Sequence, residues 1–259
     1  MNSIFYKPRK RLMIIYTGGT IGMIRNPETG ALETFNFDHL CKHVPEINEF
    51  GYAIHNYQFD PPIDSSDMCP ELWAHLVKII DYNYDSFDGF VILHGTDTMA
   101  YTAAALSFML ENLGKPVILT GSQLPIGVLR TDGKENLLTA IELAAAQDKD
   151  GHPMVPEVCV FFGQYLYRGN RCTKSNSEHF NAFSSYNYPP LAKTGININY
   201  NPANIRQVAA SQPFSPHYEA DAGVVALTLF PGIKKELIEN VMQMDGIKGI
   251  ILRTYGSGN

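Results

Sequence analysis

Three segments place hydroxyl, acid and amine side chains beside glycines. They are Tyr16-Thr17-Gly18-Gly19-Thr20-Ile21-Gly22, His94-Gly95-Thr96-Asp97-Thr98 and Arg168-Gly169-Asn170-Arg171-Cys172-Thr173-Lys174-Ser175. Threonine is a poor nucleophile until a base accepts its proton, and a partly buried lysine is suited to that work. Thr20, Thr96 and Lys174 therefore make a chemically sensible set, with Asp97 as the carboxylate beside the amine. Glycines next to each threonine let backbone N–H groups approach a ligand closely. Each of the first two segments also reads as a plain strand-to-helix turn with Thr and Asp as N-caps. The third also reads as a solvated loop with three positive charges.

Other chemistries lack their residues. No GxxxxGK[ST] loop occurs, and Thr17 stands where GxGxxG needs its first glycine. The nucleophile elbow GxSxG and the zinc helix HExxH are also missing. His39 and His43 sit at i,i+4 around Cys41, a pattern read as surface residues. The expectation is no metal and no cofactor.

The elements that must carry these segments alternate. Apolar runs at 12–16, 89–93, 116–120 and 157–162 read as strands, with helical patterns near 70–83, 99–113 and 135–146 between them. This predicts an α/β fold with a mostly parallel sheet in the N-terminal domain, residues 1–190. The first two segments then follow the carboxyl ends of strands, which border the ligand crevice of an open sheet. Gly114 is the expected left-handed stop of the second helix, with Pro116 behind it. Residues 191–216, rich in Asn, Pro, Tyr and Ser, read as a linker. Residues 217–259 hold one βαβ pattern: a strand at 224–230, a helix near 234–242 and a strand at 249–252.

Composition narrows the partners. The 259 residues include 20 basic and 26 acidic side chains, a net charge of -6. That balance argues against a nucleic-acid surface, which needs a basic stripe to displace counterions. Cysteines 41, 69, 159 and 172 form no CxxC pair, which suits a reducing cytoplasm. The apolar run behind the basic start is too short for a signal peptide, which wants about 7–15 apolar residues, or for a membrane span. The expectation is a cytoplasmic protein with no membrane or nucleic-acid partner.

Four motifs in order, TGGTIG at 17–22, DSSDM at 64–68, GFVILHGTDTM at 89–99 and RGNRCTK at 168–174, resemble the bacterial-type asparaginases, most of all their cytoplasmic type I branch. The resemblance implies a cofactor-free amidohydrolase that converts L-asparagine to L-aspartate and ammonia. It assigns the nucleophile to Thr20 and the supporting cluster to Thr96, Asp97 and Lys174. Ser65 and Ser66 are expected to hold substrate, Asp97 to bind its ammonium, Ser122 to contact the side-chain amide through its backbone, and Asn259 to lie near substrate. Thr173 and Arg253 match positions of a second, regulatory asparagine site. A homodimer or homotetramer is implied. The resemblance leaves open a glutamine- or transfer-RNA-linked amidase and a catalytically weak asparagine-binding module. Ala31 stands where the family carries a loop tyrosine, with Phe35 and Phe37 as apolar candidates for a lid. Family chains continue beyond Asn259, so the C-terminal part is expected to be the truncated start of a smaller α/β domain.

Overall fold

The apolar run at 12–16 becomes the middle of β1 (Arg11–Gly18), in which every residue after Arg11 is buried. This computed structural model describes residues 9–25, 32–34, 43–208 and 212–258. Seven further strands complete one sheet: β2 (Ala53–Ile63), β3 (Gly89–Leu93), β4 (Val117–Thr120), β5 (Val158–Phe162), β6 (Tyr165–Arg168), β7 (Ala192–Thr194) and β8 (Ile198–Tyr200). Their order is β8-β7-β6-β5-β4-β3-β1-β2. From β2 through β5 all neighbours are parallel, as expected. From β5 to β8 the neighbours are antiparallel. Because β2 lies on one side of β1 and β3 on the other, the winding reverses at β1/β3, where an open sheet leaves its ligand crevice.

Side chains alternate across this sheet, and both faces are covered. Leu12, Ile14, Val91, Leu93 and Ile118 pack with Leu137, Ala140, Ile141 and Ala144 of α3 (Gly133–Ala145). Met13, Ile15, Phe90, Ile92, Val117 and Leu119 pack on the other side with α1 (Pro70–Asn83) and α2 (Met99–Met109). Full burial of one such aliphatic side chain is worth about 1.5–3 kcal/mol. The strands are therefore held by both layers, and the loops at their ends are left to carry function.

Two expectations are corrected. The second helix stops at Met109 rather than 113, because Leu110–Glu111 extends to pair with Ser215–Pro216. The left-handed residue there is Asn112, at φ 56°, and not Gly114; Asn enters that region more readily than most residues, and its Nδ2 donates across the fold to Pro213 O at 3.2 Å. Residues 191–216 are not simply a linker, since β7 and β8 add a hairpin to the sheet within them.

The chain divides into two compact units, Met1–Tyr218 and Glu219–Asn259. The smaller holds the expected βαβ: β9 (Val224–Thr228), α4 (Lys235–Gln243) and β10 (Gly249–Arg253), with β9 and β10 parallel. Among the described residues no helix is long and apolar enough to cross a membrane.

Candidate active site

The loop after β1 is drawn onto the loop after β3. Thr17, buried at the end of β1, donates its hydroxyl to Leu93 O at 3.0 Å, which locks the two carboxyl ends together. Gly19 follows at φ +90°, and a Cβ there would lie 2.5 Å from the Gly95 backbone. A Cβ on Gly95 would in turn stand 2.5 Å from Ser65 Oγ. Three segments thus touch at one point, with no room for even a methyl group at either glycine. Thr20 opens a short 3-10 turn, Thr20–Gly22, and is half-buried.

Lys174 reaches this point from beyond β6. It sits on the short strand Thr173–Lys174, paired with Phe183–Ser184. Its Nζ donates to Thr96 Oγ1 at 2.8 Å and to Asp97 Oδ1 at 2.7 Å. The lysine side chain is 17% exposed and that of Asp97 70% exposed, so the amine lies inside and the carboxylate at the rim. Beside them is a cavity of about 440 Å³ lined by Asp97, Lys174 and residues 175–178. Asn176 Oδ1 accepts from the Glu178 and His179 N–H groups at 2.7 and 2.9 Å, which shapes that rim.

Ser65 is buried and Ser66 exposed. Ser66 donates both its N–H and its hydroxyl to Asp64 Oδ1, at 2.9 and 3.0 Å, and these bonds hold the Asp64 carboxyl below the usual carboxylate range. Ser65 O accepts the Thr98 hydroxyl at 2.6 Å. Thr98 thus ties the DSSDM turn to the start of α2 rather than capping its own helix. Ser122, buried after β4, turns its hydroxyl onto Leu124 O at 2.6 Å. Its flanks are pinned by the start of α3: Asp132 accepts from the N–H of Gln123 and of Leu124, and Asn136 Nδ2 donates to Gly121 O.

The structure therefore gathers the loops of Thr20, Thr96, Asp97, Lys174 and Ser65. Thr173 is exposed beside Lys174, and Arg253 is exposed at the end of β10 in the smaller unit. Asn259, Ala31, Phe35, Phe37, His39 and Cys41 lie outside the described residues. No group of three His, Cys, Asp or Glu side chains among the described residues could hold a metal ion.

One set of residues was missed from sequence. His94 is 1% exposed, and its imidazole is pushed down to about 4 by burial, so it is neutral at pH 7. It bonds Gly95 O at 2.7 Å and the Thr102 hydroxyl at 2.9 Å, and Thr102 meets Trp73 Nε1 at 3.0 Å. The available signal was a histidine closing an otherwise apolar strand immediately before Gly95-Thr96.

A crevice at a sheet's reversal point that gathers threonine-bearing loops, an amine and a carboxylate carries the residue types of a hydrolase site. The comparisons agree. A family profile described as "Asparaginase, N-terminal" matches residues 11–206. L-asparaginase 1 of Escherichia coli K12 is 46% identical over 97% of this chain and 72% of its own length. The crystal structure of L-asparaginase I from Vibrio cholerae superposes with a TM-score of 0.84 at 43% identity, over 97% of this chain and 74% of that one. The mouse 60 kDa lysophospholipase is 39% identical over 97% of this chain but only 47% of its own length. The chain belongs to the asparaginase family.

Proposed function

We propose that the protein is an L-asparaginase, hydrolysing the side-chain amide of L-asparagine to L-aspartate and ammonia. The observation that carries this is the Lys174 amine within 2.8 Å of Thr96 Oγ1 and 2.7 Å of Asp97, at the mouth of the crevice Thr20 borders. A free amino acid presents a carboxylate and an ammonium a few ångströms apart, so its site needs donors for one and an anion for the other. The Ser65 hydroxyl and backbone N–H groups meet the first need, and exposed Asp97 meets the second. Thr20 Oγ attacks the amide carbon; the C–N bond breaks and ammonia leaves with the proton from the hydroxyl. Water held near Thr96 and Lys174 then cleaves the acyl-threonine, releasing aspartate and restoring Thr20. Backbone N–H groups of the two glycine turns stabilise the oxyanion, at about 3–4 kcal/mol per well-aimed donor. The backbone of Ser122 holds the amide.

An ammonia-coupled assay with asparagine and with glutamine tests the reading, beside Thr20→Ala and Thr96→Val. Asparagine turnover lost in both folded variants supports it. Preference for glutamine would move the protein to the glutamine- or transfer-RNA-linked amidases, and calorimetric binding without turnover would make it an asparagine-binding module. Label from an electrophilic asparagine analogue on Thr96 alone would reassign the nucleophile. The same reading expects a homodimer or homotetramer, checked by light scattering, and a cytoplasmic setting that suits the free thiols of Cys69, Cys159 and Cys172. It also expects asparagine-dependent switching through Thr173 and Arg253. A sigmoidal rate curve that becomes hyperbolic in Arg253→Ala supports that expectation.

A further inference from the structure

The peptide that joins His94 to Gly95 is the meeting point of the site, and the Gly95–Thr96 peptide follows directly from it. Gly19 packs on Gly95 and on the His94 carbonyl carbon, Gly121 packs on the His94 carbonyl oxygen, and Ser65 packs on Gly95. Beneath it, the half-buried Trp73 and the fully buried Thr102 and His94 form a hydrogen-bonded chain whose direction is set at both ends. Trp73 Nε1–H can only donate, so the Thr102 oxygen accepts it. Gly95 O can only accept, so His94 Nδ1 carries the imidazole proton. With the imidazole neutral, that leaves His94 Nε2 as an acceptor for the Thr102 hydroxyl proton. Thr102 and His94 are 0% and 1% exposed, so no bulk water replaces a lost partner.

We infer that His94 is a positioning residue for the amide hydrolysis proposed above: its neutral imidazole, braced by Thr102 and Trp73, clamps the Gly95 carbonyl and so sets the aim of Thr96. In a planar trans peptide the C=O and the next N–H point in opposite directions. Holding Gly95 O against the imidazole turns the Thr96 N–H away from the buried layer, toward the ligand, and keeps the Thr96 hydroxyl on Lys174. His94 touches neither substrate nor the reacting atoms; it works through Thr96. The inference rests on the asparaginase reading for its kinetic arm only.

The test compares His94→Leu, which removes both bonds, with His94→Asn, whose amide N–H occupies the region of Nδ1 and restores the donor to Gly95 O. In the folded proteins His94→Leu lowers kcat by about 100-fold, as expected for a reacting group displaced by about 1 Å, with KM nearly unchanged. His94→Asn recovers most of the loss. The Thr96 amide signal in a 15N spectrum moves in His94→Leu and stays near its wild-type position in His94→Asn. Wild-type kcat in folded His94→Leu, equal impairment of the two variants, or a Thr96 amide that does not move would overturn the inference. If His94→Leu does not fold, Thr102→Val and Trp73→Phe take its place. Each is expected to lower kcat by a smaller factor, and wild-type kcat in both overturns the inference. Absence of asparagine turnover in the wild type would end the functional reading instead, while the Thr96 spectrum still decides the clamp.

Discussion

Replacing Lys174 with methionine separates chemistry from stability in this site. The methionine keeps most of the stem, so no sizeable cavity forms, and only the amine and its two bonds disappear. Asp97, left without its partner, is 70% exposed and is solvated by water. Because its carboxylate end is solvated, the pair contributes about 1 kcal/mol to folding. In a protein of this size that corresponds to a Tm change of roughly 2–4 °C at most. Loss of a positioned proton-transfer group costs about 10²- to 10⁴-fold in rate, roughly 3–5 kcal/mol of barrier. The assay is ammonia release under saturating asparagine, run beside a thermal melt of the same sample. Lys174→Met is expected to melt within a few degrees of wild type and to turn over at least a hundredfold more slowly. A kcat within tenfold of wild type, or a large drop in Tm accompanying the loss, would refute the role given to this amine.

Ser122→Ala is expected to keep kcat/KM within a few-fold of wild type, since the hydroxyl is spent on Leu124 O and the reading uses only the backbone; a hundredfold loss would contradict that. Gly95→Ala brings a methyl group to 2.5 Å from Ser65 Oγ and should abolish turnover while circular dichroism stays native-like. His94 binds a proton in the unfolded chain below pH 6.5 but not in the folded one until about pH 4. Its contribution to stability is thus complete above 6.5 and falls as pH drops toward 4, by about 3 kcal/mol in all. Denaturant titrations across that window should show this extra slope in wild type and lack it in His94→Leu. Arg168→Met strands Glu157, 7% exposed and held by Arg168 at 2.6 and 3.0 Å, so it should lower stability by about 3–5 kcal/mol, and Glu157→Gln in the same chain should restore part of it.

Strands buried on both faces were legible because burial demands unbroken apolar runs, and 89–93 coincides with β3. Strand β2 was not, since an edge strand with β1 as its sole partner tolerates His55, Asn56, Gln58, Asp60 and two prolines. The hairpin of β7 and β8 escaped for the same reason, carrying Lys193, Asn197 and Asn199 at the far edge. In the site, the threonine turns stood out by their glycines, and Lys174 came from the motif around it. The Trp73–Thr102–His94 chain closes across the fold, between residues 29 and 8 positions apart, and no local pattern announces such a closure. The loop bearing Ala31 lies outside the described residues.

The amine that completes the site arrives from 78 positions downstream of its threonine, past the turn where the sheet changes from parallel to antiparallel. Contacts of such long sequence separation are slow to form. A refolding chain can therefore own its parallel strands, and their full ellipticity, while remaining inert toward substrate. Regained turnover is then a stricter measure of correct assembly than any spectrum of secondary structure, because it waits for the last-wound part of the sheet.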